Sequence, residues 1–467
     1  MDYTAINTIG ALRGSGWVDR SVKDELRDNL MQRMRAGAEL FPGIVGFDQT
    51  VIPALERAIL AGHDIIMLGE RGQAKTRLIR RLVDLLDPQS PTIDGCEIND
   101  SPLRPVCAAC LATVASEGDL TPIRWVTPEA RYGEKLATPD TAVGDLIGDV
   151  DPIKVAEGRY LADQLTIHYG LVPRSHRGIF SINELPDLPT RIQVSLLNVL
   201  EERDIQIRGY RVSLPLDILL IASANPEDYT NRGRIITPLK DRFGSEVRTH
   251  YPLTIEDEIA IMEQEAAPPP PGVEVAVPTF LKEILAELTH AVRVSSHINQ
   301  RSGVSVRFSI ANLETLVAST VRRALRVGNG AAVARVADLP AVLLASLGRI
   351  EFEVFEEGRE MDVLRRLLAT AVVEVFRDHS YGVEFTDLLD VFEGGAIIES
   401  GDLVPSEAML SSVAGLEVLT EFARRIGVVE ESPHHLASVL DFALEGLHLT
   451  RRLNKDGDAG SSLYGLG

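Results

Sequence analysis

Apolar residues follow two different periods along the first half of the chain. Short uninterrupted apolar runs predict buried strands. These runs occupy residues 64–68, 178–184, 218–222 and 247–251. Between them, apolar residues recur every three or four positions, which predicts amphipathic helices. These helical segments occupy residues 22–40, 51–60, 77–86 and 189–202. Strands that alternate with helices predict an α/β fold, with a parallel sheet covered by helices on both faces.

Other segments depart from this alternation. Residues 205–215 alternate apolar and polar side chains around a Gly-Tyr pair, which predicts a hairpin. Residues 87–130, rich in Pro, Asp and Cys, predict an irregular connection. In the second half of the chain, apolar residues recur at helical spacing, which predicts helices. Residues 454–467 predict a frayed end. We therefore expect four parts, a helical lead-in, an αβα core, a helical lid and a helical C-terminal extension. Their predicted bounds are 1–40, 41–255, 256–350 and 351–467.

Composition and charge narrow the classes of protein. The 467 residues are 45% hydrophobic and 25% charged, which is typical of a globular protein and excludes a disordered chain. The net charge of −21 repels phosphate backbones, so we expect no nucleic-acid partner. The N-terminal residues lack a signal-peptide pattern, and no apolar run approaches the roughly 18 residues of a membrane span. We therefore expect a cytoplasmic protein with no membrane insertion.

A phosphate-binding loop follows the first predicted strand. The segment fits the pattern G-x-x-x-x-[GA]-K-[ST]. Its residues are Gly69, Glu70, Arg71, Gly72, Gln73, Ala74, Lys75 and Thr76. Backbone N–H groups of such a loop surround phosphates, Lys75 would reach the β- and γ-phosphates, and the Thr76 hydroxyl would hold Mg²⁺. Ala74 replaces the usual glycine, which is compatible with a negative φ at that position.

The next two predicted strands end in residues suited to hydrolysis. Glu184 follows an apolar run and is placed to polarise water. Asn183 stands before it, where an aspartate would normally hold Mg²⁺ through water. The third strand leads to Asn225, which is suited to orient the water. The alternative readings are a core strand with a polar end and an ordinary Asn-Pro turn.

Three cysteines form the spacing C-x10-C-x2-C. Cys96, Cys107 and Cys110 offer three thiolates for a structural Zn²⁺ ion, and Asp94, Asp100 or a distant histidine would be the fourth ligand. The alternative is three ordinary reduced thiols in a loop.

Four motifs together resemble a known family. The segments GERGQAKT, INEL, IASANPED and LKDRFG are similar to those of the AAA+ ATPases, in the branch of MoxR and the magnesium-chelatase I subunit. That branch commonly carries GxxGxAK in its phosphate loop. The resemblance covers roughly residues 41–350. It implies an insertion in the second helix, matched by residues 143–178, and a hairpin before the sensor strand, matched by residues 205–215.

The resemblance also implies roles for residues outside the phosphate loop. Arg242 of the DRF motif would act as an arginine finger across a subunit boundary, and Arg307 would be the sensor-2 arginine of the lid. Ile44 and Val45 would contact the nucleotide. Other interpretations remain for the arginines. In one of them, Arg242 forms only a surface salt bridge with Asp241. In the others, the arginine finger is Arg174, Arg177, Arg232 or Arg234.

The implied function is an ATP-hydrolysing ring motor. The resemblance implies a homo-hexamer that uses ATP and Mg²⁺ to remodel a von Willebrand A-type partner protein. One alternative is a chelatase motor subunit that drives Mg²⁺ into a porphyrin. Another is an ATP-gated scaffold with negligible hydrolysis, because Asn183 lacks the usual charge. We expect Asn183→Asp to strengthen Mg²⁺·ATP binding or turnover roughly tenfold, if no other acid such as Asp187 does this already.

Overall fold

The computed structural model divides the chain into two compact units, Met1–His250 and Tyr251–Gly467. The described residues are 5–150, 166–201, 205–207, 210–212, 214–226, 234–328, 331–411, 413, 417–429, 432–457 and 461–466. Three features of the sequence lie partly or wholly outside them. These are the middle of the predicted insertion (151–165), the tip of the predicted hairpin (208–209) and Arg232.

The first unit alternates helices with strands. Its helices are α1 (Ile9–Gly14), α2 (Val22–Arg35), α3 (Val51–Leu60), α4 (Lys75–Arg81), α5 (Ala108–Glu117), α6 (Val143–Leu146), α7 (Leu171–Arg174), α8 (Thr190–Glu201) and α9 (Thr237–Arg242). Its strands are β1 (Ile65–Leu68), β2 (Ser90–Ile93), β3 (Ile123–Val126), β4 (Tyr132–Leu136), β5 (Gly148–Val150), β6 (Ile167–Tyr169), β7 (Gly178–Asn183), β8 (Ile205–Ile207), β9 (Tyr210–Val212), β10 (Ile218–Ala224) and β11 (Ser245–Arg248).

Five of these strands form one parallel sheet in the order β11, β1, β10, β7, β4. The central strands β1, β7 and β10 are buried along their whole length. Alternate residues of β1 enter different apolar clusters. Ile65 and Met67 join the cluster of α2, α3 and α4, while Ile66 and Leu68 join that of α8. Both faces of the sheet are therefore covered, and the predicted α/β fold is confirmed.

The structure corrects the prediction for residues 87–130. That stretch contains β2, α5 and β3, and the two strands pair antiparallel. The sheet also has an edge strand, β4, that the apolar pattern does not reveal. Its sequence Tyr-Gly-Glu-Lys-Leu is half-buried or exposed, because an edge strand needs no continuous apolar run.

The second unit is mainly helical. Its helices are α10 (Ile255–Glu265), α11 (Thr279–Val294), α12 (Arg307–Val327), α13 (Pro340–Leu347), α14 (Glu360–Ser380), α15 (Thr386–Glu393), α16 (Ser406–Leu410), α17 (Glu417–Arg425) and α18 (Pro433–Leu449). Its strands are β12 (Glu274–Ala276), β13 (Ala331–Val333), β14 (Ile398–Gly401), β15 (Asn454–Asp456) and β16 (Ser461–Gly465).

Aromatic stacking and a small sheet organise this unit. Phe280 of α11 stacks on Phe442 of α18, with ring centroids 4.4 Å apart. The end of the chain is paired and not frayed, which corrects the sequence prediction, because β16 lies between β14 and β15 in an antiparallel sheet. Tyr464 of β16 is buried in the same apolar cluster as Phe280 and holds this strand in place. Within the described part of the chain, every helix is too short or too polar for a transbilayer segment.

A buried ion pair joins α2 to the turn before β4. The two terminal nitrogens of the Arg131 guanidinium, Nη1 and Nη2, donate to the Glu25 carboxylate at 2.8 and 2.6 Å. Arg131 Nε donates to the Arg177 carbonyl, and the Asp87 N–H donates to Glu25. Arg131 is 1% exposed and Glu25 is 5% exposed. Helix α2 is therefore part of the first unit's core.

We predict that Arg131→Met lowers the free energy of unfolding of the first unit by ~3–5 kcal/mol, because it leaves the buried Glu25 carboxylate without its counter-charge. Tryptophan fluorescence during urea denaturation measures this unit alone, since the two tryptophans of the chain, Trp17 and Trp125, both lie in it. Arg13→Met is the matched control. Arg13 pairs with Asp119 on the surface, so its loss should change stability by less than ~1 kcal/mol. Equal effects of the two variants would contradict the prediction.

Candidate active site

The phosphate loop leaves the C-terminal end of β1 and enters α4. The loop turns through left-handed backbone at Gly72 (φ +78°) and at Ala74 (φ +53°). The positive φ at Ala74 corrects the sequence expectation of a negative value. A left-handed alanine costs about 1–2 kcal/mol, because its Cβ approaches the following carbonyl. The loop therefore keeps a conformation that glycine would adopt without strain.

Lys75 lies inside the loop. It is 7% exposed, and its Nζ donates to the Gly69 carbonyl, to the Glu70 carbonyl (2.7 Å) and to Asn225 Oδ1 (3.0 Å). Thr76 follows it in the first turn of α4. The ammonium is thus held against main-chain oxygens of the loop. The helix α4 begins at this point, and the N–H groups at the start of a helix favour anions.

Thr249 fixes the base of the loop, a role that no sequence signal indicated. Its hydroxyl donates to Gln73 Oε1 (2.8 Å), and Gln73 Oε1 also accepts the Glu70 N–H (3.0 Å). A Cβ on Gly69 would lie 1.9 Å from Thr249 Oγ1 and 2.3 Å from Gln73 Oε1. A side chain at position 69 would therefore displace Thr249 and Gln73 from their hydrogen bond.

Glu184 and Asn225 meet beside Lys75. Asn225 Nδ2 donates to Glu184 Oε2 at 3.0 Å, while the Oδ1 of the same amide accepts from Lys75. The Glu184 N–H donates to Ser223 Oγ (3.2 Å), and its φ of +56° turns the chain away from the strand. The structure thus brings together three of the residues predicted from sequence, one from each of three neighbouring strand ends.

Asn183 contacts a carboxylate that the sequence analysis missed. Its Nδ2 donates to Glu134 Oε1 at 2.7 Å, and its Oδ1 accepts from Ser223 Oγ at 3.3 Å. Glu134 lies on the edge strand β4 and forms a bidentate ion pair with Arg80 of α4, with both distances 2.9 Å. The Arg80 guanidinium lowers the pKa of Glu134 from its ordinary value. Only the position of β4 in the sheet could have revealed this neighbour.

The remaining predicted nucleotide contacts are less enclosed or lie elsewhere. Glu70 is half-buried and Arg71 is exposed. Ile44 is buried in the apolar cluster below α3, and Val45 is half-buried. Arg307 begins α12 in the second unit, so its sensor role stays a prediction.

The structure separates the candidate arginine fingers. Arg242 ends α9 and pairs with Asp241 at 3.0 Å, with 36% of its side chain exposed. Arg177 is buried and donates to the Pro91 carbonyl and to Ser90 Oγ, so it does not face a neighbouring subunit. Arg174 and Arg234 are exposed.

The three cysteines converge with Asp100. All four side chains are buried, and their ligand atoms lie within 4.8 Å of one another. Hydrogen bonds from the thiols of Cys107 and Cys110 lower the pKa of Cys96 to about 2. Hydrogen bonding with Cys110 lowers the pKa of Cys107, whereas its bond to Cys96 and burial raise it, with a net rise to about 12. Cys96 is therefore the thiol of this cluster that ionises most readily.

The sequence is similar to parts of several known proteins. Residues 156–241 match the model of the Sigma-54 interaction domain. The chain is 26% identical over 243 residues to magnesium-chelatase subunit ChlI-2 of Arabidopsis thaliana, covering 48% of this chain and 52% of that protein. The sequence is thus similar to the magnesium-chelatase I branch of the AAA+ ATPases over about half of its length. It is also 27% identical over 251 residues to the ChlI subunit of Nicotiana tabacum, covering 52% and 55% of the two chains.

The chain spans about half the length of the curated relatives it matches. Among solved structures, one match is a magnesium-chelatase complex between subunits BchI and BchD. That match has 17% identity and a TM-score of 0.36, and it covers 88% of this chain and 95% of the other.

We predict that Asn183→Asp does not strengthen Mg²⁺-dependent nucleotide binding, which revises the expectation from sequence. The new carboxylate would lie next to Glu134, and two such groups about 3 Å apart do not both ionise. The double variant Glu134→Gln, Asn183→Asp carries a single charge at position 183 and should bind Mg²⁺ about tenfold more tightly than Asn183→Asp. The measurement is a Mg²⁺ titration with a fluorescent ATP analogue.

Glu129→Gln is the control for a change of charge elsewhere in the same unit. Glu129 is exposed, and the variant should leave Mg²⁺ affinity unchanged. If Asn183→Asp alone bound Mg²⁺ tenfold more tightly, the expected effect of Glu134 on the new carboxylate would be contradicted.

Proposed function

We propose that the chain binds Mg²⁺·ATP and hydrolyses it as one subunit of a ring motor. The observation that carries this proposal is the Asn225 amide, which contacts Lys75 through its oxygen and Glu184 through its nitrogen. A phosphate-binding cation and a water-activating carboxylate at this spacing support a site in which the γ-phosphate and the attacking water lie between them.

Each side chain has a role in this proposal. Lys75 neutralises charge that develops on the phosphates, and Glu184 accepts the proton of the attacking water. Asn225 holds the Glu184 carboxylate and orients the water. The Thr76 hydroxyl and Asn183 Oδ1 are oxygen donors that fit Mg²⁺, which would reduce the phosphate charge. Asn183 is neutral, so Glu184 is the one carboxylate of this pair and acts as the base.

The position of Arg242 supports a ring. We propose a homo-oligomer, a hexamer by family analogy, in which Arg242 reaches the ATP of the neighbouring subunit. Its exposure at the end of α9 supports this, because a planar guanidinium can then approach a γ-phosphate from outside. We further propose that hydrolysis remodels a von Willebrand A-type partner, as in the MoxR type. We also propose that Arg307 acts as sensor and that residues 256–350 form the lid.

Two alternatives remain distinct from this motor. A chelatase motor subunit that drives Mg²⁺ into a porphyrin is favoured by the names of the relatives. An ATP-gated scaffold is favoured by the neutral Asn183. Porphyrin metallation with candidate partner subunits separates the first from a remodelling motor, and steady-state ATPase rates separate the second from both.

We also propose a reducing, cytoplasmic location and a structural Zn²⁺ ion. The three cysteines are free and buried, and they converge on one another, which supports both. ATP hydrolysis requires neither the cytoplasmic location nor the Zn²⁺ ion, so these two proposals are tested separately from the motor.

Glu184→Gln tests the proposed hydrolysis. The amide keeps the size of the side chain but cannot accept a proton, so ATP binding should stay within about twofold while turnover falls by at least about 100-fold. A phosphate-release assay and a fluorescent ATP analogue measure the two quantities. Glu129→Gln, an exposed glutamate of the same unit, is the control and should leave both unchanged. Normal turnover in Glu184→Gln would contradict the assignment of the catalytic strand.

Mixed rings test the trans role of Arg242. Arg242→Ala should keep ATP binding and lose about 10³-fold in rate. Mixing it with Lys75→Ala subunits should restore part of the activity, because some interfaces then pair an intact loop with an intact arginine. Mixing Arg242→Ala with the double variant Lys75→Ala, Arg242→Ala is the matched control and should restore none. Co-assembled rings without recovery would contradict trans action.

A further inference from the structure

Four buried side chains outside the nucleotide site converge between β2 and α5. Cys96, Asp100, Cys107 and Cys110 are 8%, 0%, 5% and 3% exposed. Their ligand atoms all lie within 4.8 Å of one another. A tetrahedral ion with Zn–S bonds of ~2.3 Å places neighbouring sulfurs roughly 3.8 Å apart. The four atoms are therefore within about 1 Å of a closed four-coordinate site.

Backbone N–H groups point at two of the sulfurs. The N–H groups of Ile98 and Asp100 each donate to Cys96 Sγ at 3.4 Å, and the Cys110 N–H donates to Cys107 Sγ at 3.3 Å. Cys107 is also the N-cap of α5, a ten-residue helix whose positive end favours a thiolate. These donors suit anionic sulfur, which is the form that binds metal. Three neutral thiols packed in an apolar core would not need these N–H donors.

Asp100 is held as the oxygen member of the cluster. Its carboxylate accepts the Val106 N–H at 3.0 and 2.8 Å and the Cys107 N–H at 2.9 Å. Asp94, the other nearby aspartate, is exposed and accepts the N–H of the neighbouring Gly95. His176 lies behind Asp100, with its Nε2 3.9 Å from Asp100 Oδ1. Its Nδ1 accepts the Asp217 N–H, so the histidine faces the carboxylate and not the sulfurs.

We propose that these four residues bind one Zn²⁺ ion, with three thiolates and the Asp100 carboxylate as ligands. This deepens the structural zinc proposed above and is independent of ATP hydrolysis. Soft thiolates select Zn²⁺ over Mg²⁺ and Ca²⁺, which prefer oxygen ligands, and a carboxylate is an established fourth ligand for zinc. The ligand atoms also converge too closely to enclose the several iron and sulfide atoms of an iron–sulfur core. Binding releases the remaining thiol protons to solvent.

The ion joins two parts of the first unit, the connection after β2 and the start of α5. Cys96 and Asp100 belong to the connection after β2, while Cys107 and Cys110 begin α5. A cavity of about 150 Å³ beside the cluster is also lined by Ile167 and Tyr169 of β6. Behind Asp100, His176 lies two residues before β7, the strand that carries Glu184 at its end. Zinc thus stabilises the connection on which β6 packs.

The test uses the full chain, purified under reducing conditions after a chelator wash, with no nucleotide present. Elemental analysis should give about one zinc per chain. Replacement by Co²⁺ should give thiolate-to-cobalt charge-transfer bands in the near ultraviolet. Asp100→Asn should weaken zinc binding about tenfold or more, and Asp94→Asn is the matched control and should not change it. Asp100→Cys should keep the ion and strengthen the charge-transfer bands by adding a fourth thiolate.

Two results would overturn the proposal. Zinc far below one equivalent in wild type, together with cobalt spectra that lack thiolate bands, would exclude the site. Equal weakening by Asp94→Asn and Asp100→Asn, or unchanged cobalt bands in Asp100→Cys, would exclude Asp100 as a ligand. Each readout is independent of nucleotide, so an inactive ATPase with one zinc per chain would refute the motor and leave the metal site intact.

Discussion

The parallel register of three adjacent strands is the constraint on which the candidate site depends. Leu68 pairs with Ala224, and the Gly69 N–H donates to the Ala224 carbonyl, so the phosphate loop starts where β10 ends. The Thr249 N–H donates to the Leu68 carbonyl from the other side. Because carboxyl ends of parallel strands share one edge, Lys75 meets residues that follow two other strands there. A shift of one residue would turn these side chains to opposite faces.

Charged groups inside the first unit keep the N-terminal segment close to this sheet. The sequence suggested a polar lead-in for residues 1–40, yet α2 contributes Val22, Leu26 and Leu30 to the apolar cluster of β1. The Val22 N–H donates to both oxygens of Asp217, next to β10. Buried ion pairs are costly unless their hydrogen bonds are complete, and a completed network then favours one arrangement of helix and sheet.

The sequence predicted what depends on local pattern. Continuous apolar runs revealed β1, β7 and β10, and glycine spacing revealed the loop that contains Lys75, because these signals need only neighbours along the chain. Glu134 and Thr249 were not predicted, since their roles arise from strand order and hydrogen bonds between distant segments. The cysteine spacing suggested a metal site with several candidate fourth ligands, and only the fold brings Asp100 among the sulfurs.

The ion pair between Arg80 and Glu134 makes the site sensitive to its ionic environment. Arg80 is 62% exposed, so mobile ions can screen its attraction to Glu134, which is 23% exposed. The Debye length falls from about 10 Å at 0.1 M salt to about 3 Å at 1 M. Because Glu134 accepts a hydrogen bond from the Asn183 amide, weakening the ion pair with Arg80 loosens this amide at the end of β7. The ionic strength around the molecule is thereby coupled to the geometry at the end of β7, through a contact on the outermost strand of the sheet.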